Sequence, residues 1–302
     1  MSSAVELKRQ AYGKAKVRVT KAIRHTPQWN DIVELTVQVL LEGDFEEAYT
    51  EADNSKVVPT DTVKNTCYII AKKSNHVQTI ERYGYELGKH FVDKYPHVTH
   101  AHVHIVQLRW TRINVNGEPH PHSFYRDGSE TRETWVTVSA NDLTVSRDGK
   151  VSIESRLKDL LVLKSTGSSF TNFHRCENTT LQDATDRIFS TSVDAKWTYN
   201  LEKSKIEEIP FDEIAGSVRE ITLGTFATDD SASVQATMYK MGEKVLAENV
   251  DVTEISYALP NKHYISVNLK PFNLPNEGKD MDIFQPISDP SGYITATIAR
   301  RQ

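Results

Sequence analysis

Apolar and polar residues alternate along several stretches of this 302-residue chain, and other stretches repeat apolar residues at helical spacing. Period-two alternation is typical of half-buried strands, whereas apolar residues three and four apart are typical of amphipathic helices. In the first half, the pattern predicts two strands, two helices and two strands, at residues 15–24, 34–46, 60–70, 77–95, 100–113 and 122–138. Thr60, directly after Pro59, is the predicted N-cap of the first helix.

The second half repeats this order of elements. The pattern predicts strands at residues 151–164 and 192–201, helices at 211–227 and 231–247, and strands at 252–269 and 283–298. No long linker separates the copies, so we divide the chain into units 1–142 and 143–302. Antiparallel hairpins that flank a helix pair place both helices on one face of a four-stranded sheet, which is an α+β fold. Oligomerisation into a closed barrel would remove the free sheet edges.

Composition and charge exclude several classes of protein. Apolar residues make up 38% and charged residues 25%, as in an ordinary soluble globular protein. Acidic residues outnumber basic ones 41 to 36, so we expect no strongly basic surface for nucleic acid. No apolar run is long enough to span a membrane, and the first ten residues lack the apolar core of a secretory signal. Cys67 and Cys176 form no CxxC or CxxH pair, which favours a reducing, intracellular setting without disulfides.

The clearest candidate for chemistry is the stretch from residue 160 to 187. Residues 160–164 form a short apolar run that predicts a buried strand, and small residues follow it. Phe170 and Phe173 come next, and Arg187 closes the stretch. An aromatic plate and a guanidinium fork suit a flat, anionic, carbonyl-bearing ring, which would stack on the plate and accept two parallel N–H donors. On physical grounds alone, a core Phe170 and a surface Arg187 remain the competing interpretation.

Three histidines offer a different kind of site. His100, His102 and His104 alternate on one predicted strand, so their imidazoles share one face. Such a face could bind zinc or another divalent metal. No Cys, Asp or Glu stands in obvious ligand register with them, so the metal site is kept as a competing hypothesis.

Five blocks of sequence, in order and at matching spacing, resemble the signature of the urate oxidase (uricase) family. In the 160–187 stretch, the residues that carry the resemblance are Lys164-Ser165-Thr166, Phe170, Phe173, Leu181 and Arg187. The other blocks are residues 12–14, 52–55 with 59–66, 233–240 and 259–264, and the resemblance covers residues 12 to about 298. Asn178 departs from the pattern, because the family usually has an aromatic residue there. We expect a lost packing contact beside the site and no lost chemistry.

The resemblance implies a role for several residues. Lys14, Thr60 and His263 correspond to the family's proton relay. Thr60 and Asn261 correspond to its dioxygen or water site. The residues that correspond to its substrate contacts are Thr60, Asp61, Phe170, Arg187, Val234, Gln235 and Asn261. In that arrangement Arg187 and Gln235 hold opposite edges of the purine, and Phe170 covers its face.

Similarity to this family also implies a fold, a reaction and an assembly. We expect tandem tunnelling-fold (T-fold) units that form a tunnel-shaped barrel as a homotetramer, with active sites between subunits. We expect oxidation of urate by dioxygen and water to 5-hydroxyisourate and hydrogen peroxide, within purine catabolism and without cofactor or metal. Nucleic acid and membranes are not expected partners. The family is usually peroxisomal, but the sequence ends in Arg301-Gln302 and lacks the Ser-Lys-Leu address, so the cytoplasm is the alternative location.

Two other functions stay open. A cyclohydrolase-like enzyme on the same tandem fold would bind a purine or pterin and would need zinc with cysteine ligands, which the isolated Cys67 and Cys176 disfavour. A non-catalytic purine-binding or structural relative is disfavoured because the three relay residues and Asn261 are all present. Metal content separates the first alternative from a urate oxidase, and peroxide release separates the second.

Overall fold

The computed structural model describes residues 5–140, 151–202 and 204–301. The described chain forms two compact units. The first unit comprises the described parts of residues 1–156 and 198–213, and the second unit those of residues 157–197 and 214–302. The predicted boundary between residues 142 and 143 lies outside the described residues, so the division into units 1–142 and 143–302 stays a prediction.

The first unit is built on an antiparallel sheet covered by helices. Its main elements are β1 (Tyr12–Arg24), β2 (Asn30–Gly43), α1 (Glu46–Thr50), α2 (Thr60–Lys73), α3 (Ile80–Lys94), β3 (Val98–Leu108), then β4 (Thr111–Val115), β5 (Glu118–Tyr125) and β6 (Thr131–Ser139). The sheet runs in the order β1-β2-β3-β6. Alternate residues of β2, among them Leu35, Val37 and Val39, are fully buried, as the period-two pattern predicts. α2 packs on β1, and α3 packs on β3 and β6.

A hairpin interrupts the region where alternation predicts only two strands. β4 and β5 pair with each other as a separate two-stranded sheet between β3 and β6 in the chain. Asn116 and Gly117 connect them with φ angles of 55° and 86°, as a two-residue hairpin turn requires. The predicted strands at 100–113 and 122–138 are therefore wrong in their boundaries. The short helix α1 is a further element that the pattern does not predict.

The second unit repeats the strand–helix–strand order. It contains most of β7 (Val151–Lys164), β8 (Phe189–Tyr199) and α4 (Phe211–Thr228). It also contains α5 (Val234–Glu248), β9 (Val252–Ser266), β10 (Phe284–Ile287) and β11 (Tyr293–Ala299), with short 3₁₀ helices at Lys270–Phe272 and Gly278–Asp280. Strands β7 to β10 follow each other in the sheet, and β11 also pairs with β9. The predicted strand at 283–298 is wrong, because Pro290 and Gly292 interrupt it between β10 and β11.

Large aromatic side chains anchor the core of the second unit. Trp197 and Tyr257 are almost completely buried, and the Tyr257 hydroxyl lies 2.9 Å from the hydroxyl of Thr222 on α4. Burial raises the pKa of Tyr257, so the phenol stays protonated and neutral inside the core. In the part of the chain that the structure describes, no helix is long and apolar enough to cross a membrane.

Candidate active site

The predicted site residues fall into two groups, one in each unit. Lys14, Thr60 and Asp61 form the first-unit group. The second-unit group consists of Phe170, Arg187, Val234, Gln235, Asn261 and His263. Each group is positioned by contacts within its own unit.

Lys14 lies on β1 at a β-bulge. The step of three residues from Lys14 to Val17 is matched by a step of only two in β2, and Lys16 adopts a left-handed backbone with φ of 58°. Gly13 precedes the bulge where the strands approach so closely that a Cβ atom would lie 1.9 Å from the carbonyl oxygen of Val39. Glycine is the residue that fits this approach. The glycine before Lys14 therefore has a structural cause, and the bulge sets the direction of the lysine.

Tyr12 ties the start of α2 to the strand that carries Lys14. Its hydroxyl accepts a hydrogen bond from the backbone N–H of Val58, at 2.7 Å, and Val58 is buried. Its ring packs edge-on against Phe45, with centroids 4.8 Å apart. Val58 lies two residues before Thr60, and Tyr12 lies two residues before Lys14. One side chain therefore fixes the spacing between the backbone segments that carry both residues.

Thr60 begins α2 but does not cap it, so that prediction is wrong. The first helical hydrogen bond runs from the Val63 N–H to the carbonyl oxygen of Pro59, at 3.1 Å, which makes Pro59 the N-cap residue. Thr60 already has a helical backbone, and no side chain makes a cap hydrogen bond at this end. The exposed Thr60 side chain is therefore not engaged in capping the helix.

Asp61 is paired within its own helix. Its carboxylate accepts hydrogen bonds from Lys64, at 2.5 Å, and from Asn65, at 2.9 Å. The pKa of Asp61 lies below its ordinary value, chiefly because Lys64 donates to it, and the positive charge of Lys14 adds to the effect. Lys14 and the start of α2 therefore share one electrostatic environment in the first unit.

The loop between β7 and β8 brings Phe170 and Arg187 together. Phe170 exchanges two backbone hydrogen bonds with Ala184, at 2.7 and 3.0 Å, and the Arg187 N–H donates to the carbonyl oxygen of Ser168, at 2.8 Å. Phe170 stacks on Phe173, with centroids 5.0 Å apart and planes 8° from parallel. The Arg187 guanidinium carbon lies 5.2 Å from the centre of the Phe170 ring. The predicted aromatic plate and guanidinium fork are thus neighbours.

Arg187 carries a positive charge that no carboxylate compensates. Among the described residues it forms no ion pair, and its buried Nε–H has no hydrogen-bond partner. Burial alone lowers the pKa of the guanidinium, with no contribution from a neighbouring acid. A half-buried cation without a counterion is costly unless it has a ligand. This arrangement favours an anionic ligand beside Phe170.

Val234 and Gln235 open α5, which is joined to the same loop. The Ser233 hydroxyl caps the helix by accepting from the Ala236 N–H, at 3.1 Å. Just before the cap, Ser231 donates its N–H to the Gly167 carbonyl oxygen, at 3.0 Å, and accepts from the Ser169 N–H, at 2.8 Å. Val234 is buried, whereas Gln235 is exposed. The segment before the helix start is therefore hydrogen-bonded to the loop that carries Phe170.

Asn261 and His263 lie two residues apart on β9, so their side chains project from the same face. The Asn261 N–H donates to the Gly292 carbonyl oxygen, at 2.6 Å. The Gly292 N–H approaches His263 Nε2 at 3.5 Å, as an acceptor nitrogen of a neutral imidazole would allow. The turn before β11 thus supports both residues, which remain half-buried.

Comparison with known proteins identifies the family of this chain. The sequence model of the family described as Uricase matches residues 10–137 and 153–295. The chain belongs to the uricase family. It is 50% identical to the uricase of Schizosaccharomyces pombe over the full length of both chains, and 47% identical to that of Aspergillus flavus over 97% of each. It also matches the crystal structure of uricase from Arthrobacter globiformis, with a TM-score of 0.86 and 39% identity over 99% of this chain and 96% of that one.

Membership of the uricase family confirms three predictions. The resemblance drawn from the five sequence blocks is correct. The match to the solved uricase confirms the α+β T-fold class. Uricases are oxidoreductases, so the predicted class of enzyme is confirmed as well.

The histidines of β3 each have a protein partner. His100 Nδ1 lies 3.0 Å from the Thr99 hydroxyl, and His102 Nδ1 lies 3.0 Å from the Thr137 hydroxyl. His104 stacks on Trp135 with centroids 4.3 Å apart. No group of three or more His, Cys, Asp or Glu that could hold a metal ion occurs within residues 5–140, 151–202 and 204–301. Both cysteines are free, and burial raises the pKa of the Cys67 thiol to about 12.

A cleft in the first unit does not coincide with the predicted chemistry. It has a volume of about 690 Å³, and Tyr85, Thr137 and Leu201 are among the residues that line it. No predicted site residue lines this cleft. Its walls lack the combination of an unpaired cation and an aromatic plate that Arg187 and Phe170 provide, so we locate the site by its chemistry.

Two supporting residues escape the sequence patterns. Asp186 accepts hydrogen bonds from the Thr166 hydroxyl and the Gly167 N–H, at 2.6 and 2.9 Å, and so holds the loop of Phe170 and Arg187. Tyr12 holds the segment before Thr60. The sequence offers only their positions as a signal, because Asp186 directly precedes Arg187 and Tyr12 lies two residues before Lys14.

Asn178, the departure from the family pattern, is exposed in a turn beside Cys176 and Thr179.

Proposed function

We propose that this protein is a urate oxidase that converts urate, dioxygen and water into 5-hydroxyisourate and hydrogen peroxide without a cofactor. Urate loses two electrons in this reaction, and dioxygen accepts them together with two protons. Membership of the uricase family over almost the whole chain supports the substrate and the reaction class. The finer assignments rest on the geometry of the two groups.

The uncompensated guanidinium of Arg187 beside Phe170 carries the proposal. Urate is a planar anion at neutral pH, and its ring edge offers parallel acceptors to an arginine fork. Binding of urate would give Arg187 the counterion that it lacks, while the ring stacks on Phe170. A neutral or cationic ligand would leave the charge uncompensated.

We assign the opposite edge of the purine to the start of α5. The amide of Gln235 offers a donor and an acceptor side by side, which complements an N–H and C=O pair on the ring edge. The backbone N–H of Val234 adds a donor in the first turn of the helix, where it has no intrahelical acceptor. Asp61 is assigned a further contact with the purine. Arg187 and Gln235 together would fix the orientation of the ring.

We assign proton transfer to Lys14, Thr60 and His263, and the dioxygen or water position to Thr60 and Asn261. Removal of a further proton makes urate a stronger electron donor, so direct electron transfer to dioxygen becomes easier. The protons then pass to the reduced oxygen, which leaves as hydrogen peroxide. A preorganised polar site favours these charge changes because its dipoles need no rearrangement during the reaction.

We further propose that the protein assembles as a homotetramer, with active sites between subunits. The two groups of site residues lie in different units of the chain. Exposed apolar side chains on β7, Leu161 and Leu163, are available to an intersubunit contact. A peroxisomal location, or otherwise a cytoplasmic one, remains the expectation from the resemblance.

The first experiment measures loss of urate ultraviolet absorbance in air, with hydrogen peroxide detected in parallel and a strong chelator present. We expect one peroxide for each urate consumed, with no effect of the chelator. Urate bound without peroxide release would instead identify a purine-binding protein. Turnover that the chelator abolishes and zinc restores would contradict the cofactor-free reaction and return attention to the histidines of β3.

A further inference from the structure

Asp186 adjoins Arg187 in the chain, yet its carboxylate does not pair with the guanidinium. One carboxylate oxygen accepts from the Thr166 hydroxyl, at 2.6 Å, and the other accepts from the Gly167 N–H, at 2.9 Å. The backbone N–H groups of Ser168 and Arg187 also stabilise the charged form. These contacts hold the pKa of Asp186 below its ordinary value, with the Thr166 hydroxyl as the largest cause.

This set of contacts closes the loop at its neck. Thr166 and Gly167 follow the end of β7, and Asp186 precedes β8, so the carboxylate joins the two ends of the loop that carries Phe170. The Arg187 N–H bonded to the Ser168 carbonyl oxygen adds a second link at the same place. Loops whose ends are fixed lose less conformational entropy when they bind a ligand.

The occupied carboxylate also leaves the neighbouring cation free. An aspartate next to an arginine could form a charge-assisted hydrogen bond with it, and a bond of that kind is roughly twice as strong as a neutral one. Here Thr166 and Gly167 each donate to one carboxylate oxygen of Asp186 and direct the group toward the neck of the loop, and burial is the cause of the lowered pKa of Arg187. Asp186, the acid that could neutralise Arg187, is therefore held by other donors and does not pair with it.

We propose that Asp186, held by Thr166 and Gly167, is a positioning residue that keeps the Arg187 guanidinium unpaired beside Phe170 and available to the purine anion. The proposal rests on the proposed function and deepens it, because it names what maintains the substrate-binding charge. Asp186 itself does not contact the substrate in this proposal. Loss of its restraint should weaken urate binding and leave the chemical step largely intact.

The test uses Thr166→Val, which keeps the shape of the side chain and removes the hydroxyl. We expect the dissociation constant for urate, measured by equilibrium dialysis under argon, to rise about tenfold, because urate must then displace the released Asp186 carboxylate from a charge-assisted hydrogen bond with Arg187. KM in air should rise in parallel, and kcat should stay within about twofold. Thr166→Ser, which restores a hydroxyl, should recover most of the affinity. Thr180→Val is the matched control, since Thr180 is an exposed residue of the same loop and its side chain makes no contact with Asp186.

A double variant separates the two parts of the proposal. In Thr166→Val the released carboxylate can pair with Arg187, whereas in Thr166→Val with Asp186→Asn no carboxylate remains to do so. We expect the double variant to bind urate more tightly than Thr166→Val alone. A double variant no better than the single one would overturn the claim that Asp186 must be kept from Arg187.

The possible negative results contradict different claims, either the proposed function or the positioning role of Asp186. Wild-type protein that neither binds urate under argon nor releases peroxide in air would contradict the proposed function. Wild-type protein that does both, with a Thr166→Val variant whose affinity equals that of Thr180→Val, would overturn the positioning role of Asp186 and leave the proposed function standing. A Thr166→Val variant that lowers kcat and leaves affinity unchanged would overturn it as well.

Discussion

The first-unit group and the second-unit group are held in place by different means. Lys14 and Thr60 lie on regular elements, a bulged strand and the first turn of a helix, and the Tyr12 hydroxyl joins the two segments. Phe170 and Arg187 lie on a long loop that hydrogen bonds close at its neck. Sites on strands and helices are more rigid than sites on loops, so the loop needs its own restraints.

The two groups also differ in charge compensation. Asp61 is paired with Lys64 in the first unit, whereas Arg187 in the second unit forms no ion pair with any residue that the structure describes. A paired charge is already stabilised, while an unpaired, half-buried one gains most from a ligand. In the proposed function, the unpaired Arg187 therefore binds the substrate, whereas Lys14 takes part in proton transfer. In kinetic terms, loss of Lys14 should lower kcat, and loss of the Arg187 fork should raise KM.

Lys14→Met should have the largest effect. The change keeps an unbranched side chain at the bulge and removes the group that we assign to proton transfer. Loss of a general acid–base group lowers the rate by about 10²–10⁴-fold, so we expect kcat for peroxide release to fall by that factor, with KM for urate nearly unchanged. Lys16→Met removes the same charge from an exposed position of the same bulge and serves as the control. A Lys14→Met enzyme with normal turnover would remove Lys14 from the mechanism.

Arg187→Lys should give the opposite kinetic pattern. Lysine keeps the positive charge but loses the planar fork that binds two acceptors at once. We expect KM for urate to rise by about 10–100-fold, with a smaller effect on kcat. Arg175→Lys is the matched control, because Arg175 lies on the same loop, 4.4 Å from the centre of the Phe173 ring, and is paired with Asp183. An unchanged KM in Arg187→Lys would contradict the assignment of the fork to the substrate.

Local patterns predict the strands and helices well where the chain has a clear period. The strand predicted at residues 151–164 has those bounds in the structure, and the helix predicted at 211–227 ends one residue later. Patterns fail where a break divides one predicted strand into two, as residues 109–110 do between β3 and β4 and Pro290 does between β10 and β11. They also fail at Thr60, since a Thr that follows Pro fits both the cap and the first helical position, and only the backbone distinguishes them.

The site is predictable in its residue types and less so in its supports. Phe170 and Arg187 stand out in the sequence as an aromatic residue and an arginine after the apolar run 160–164, and the resemblance gives them roles. The prediction that this run is a buried strand is wrong, because Leu161 and Leu163 are exposed on β7. The restraint by Asp186 depends on a contact between residues 20 positions apart, which no helical or strand period encodes. The same is true of the bond from Val58 to Tyr12, 46 positions away. Supporting contacts of this kind can be identified only from the three-dimensional structure.

Tyr12→Phe should have the smallest of these effects and tests whether the first-unit group is rigid for a catalytic reason. The variant leaves the buried Val58 N–H without its acceptor, which costs roughly 1–3 kcal/mol of unfolding free energy. We also expect kcat to fall on the order of tenfold with KM unchanged, because a small displacement of Thr60 from Lys14 disturbs proton transfer. Stability is measured by denaturant unfolding, and kcat by peroxide release. Tyr49→Phe removes a phenolic hydroxyl from an exposed residue of α1 and is the control. If Tyr12→Phe lowered stability but left kcat intact, the bond to Val58 would stabilise the unit without positioning its chemistry, and the kinetic contrast with Arg187 would rest on Lys14 alone.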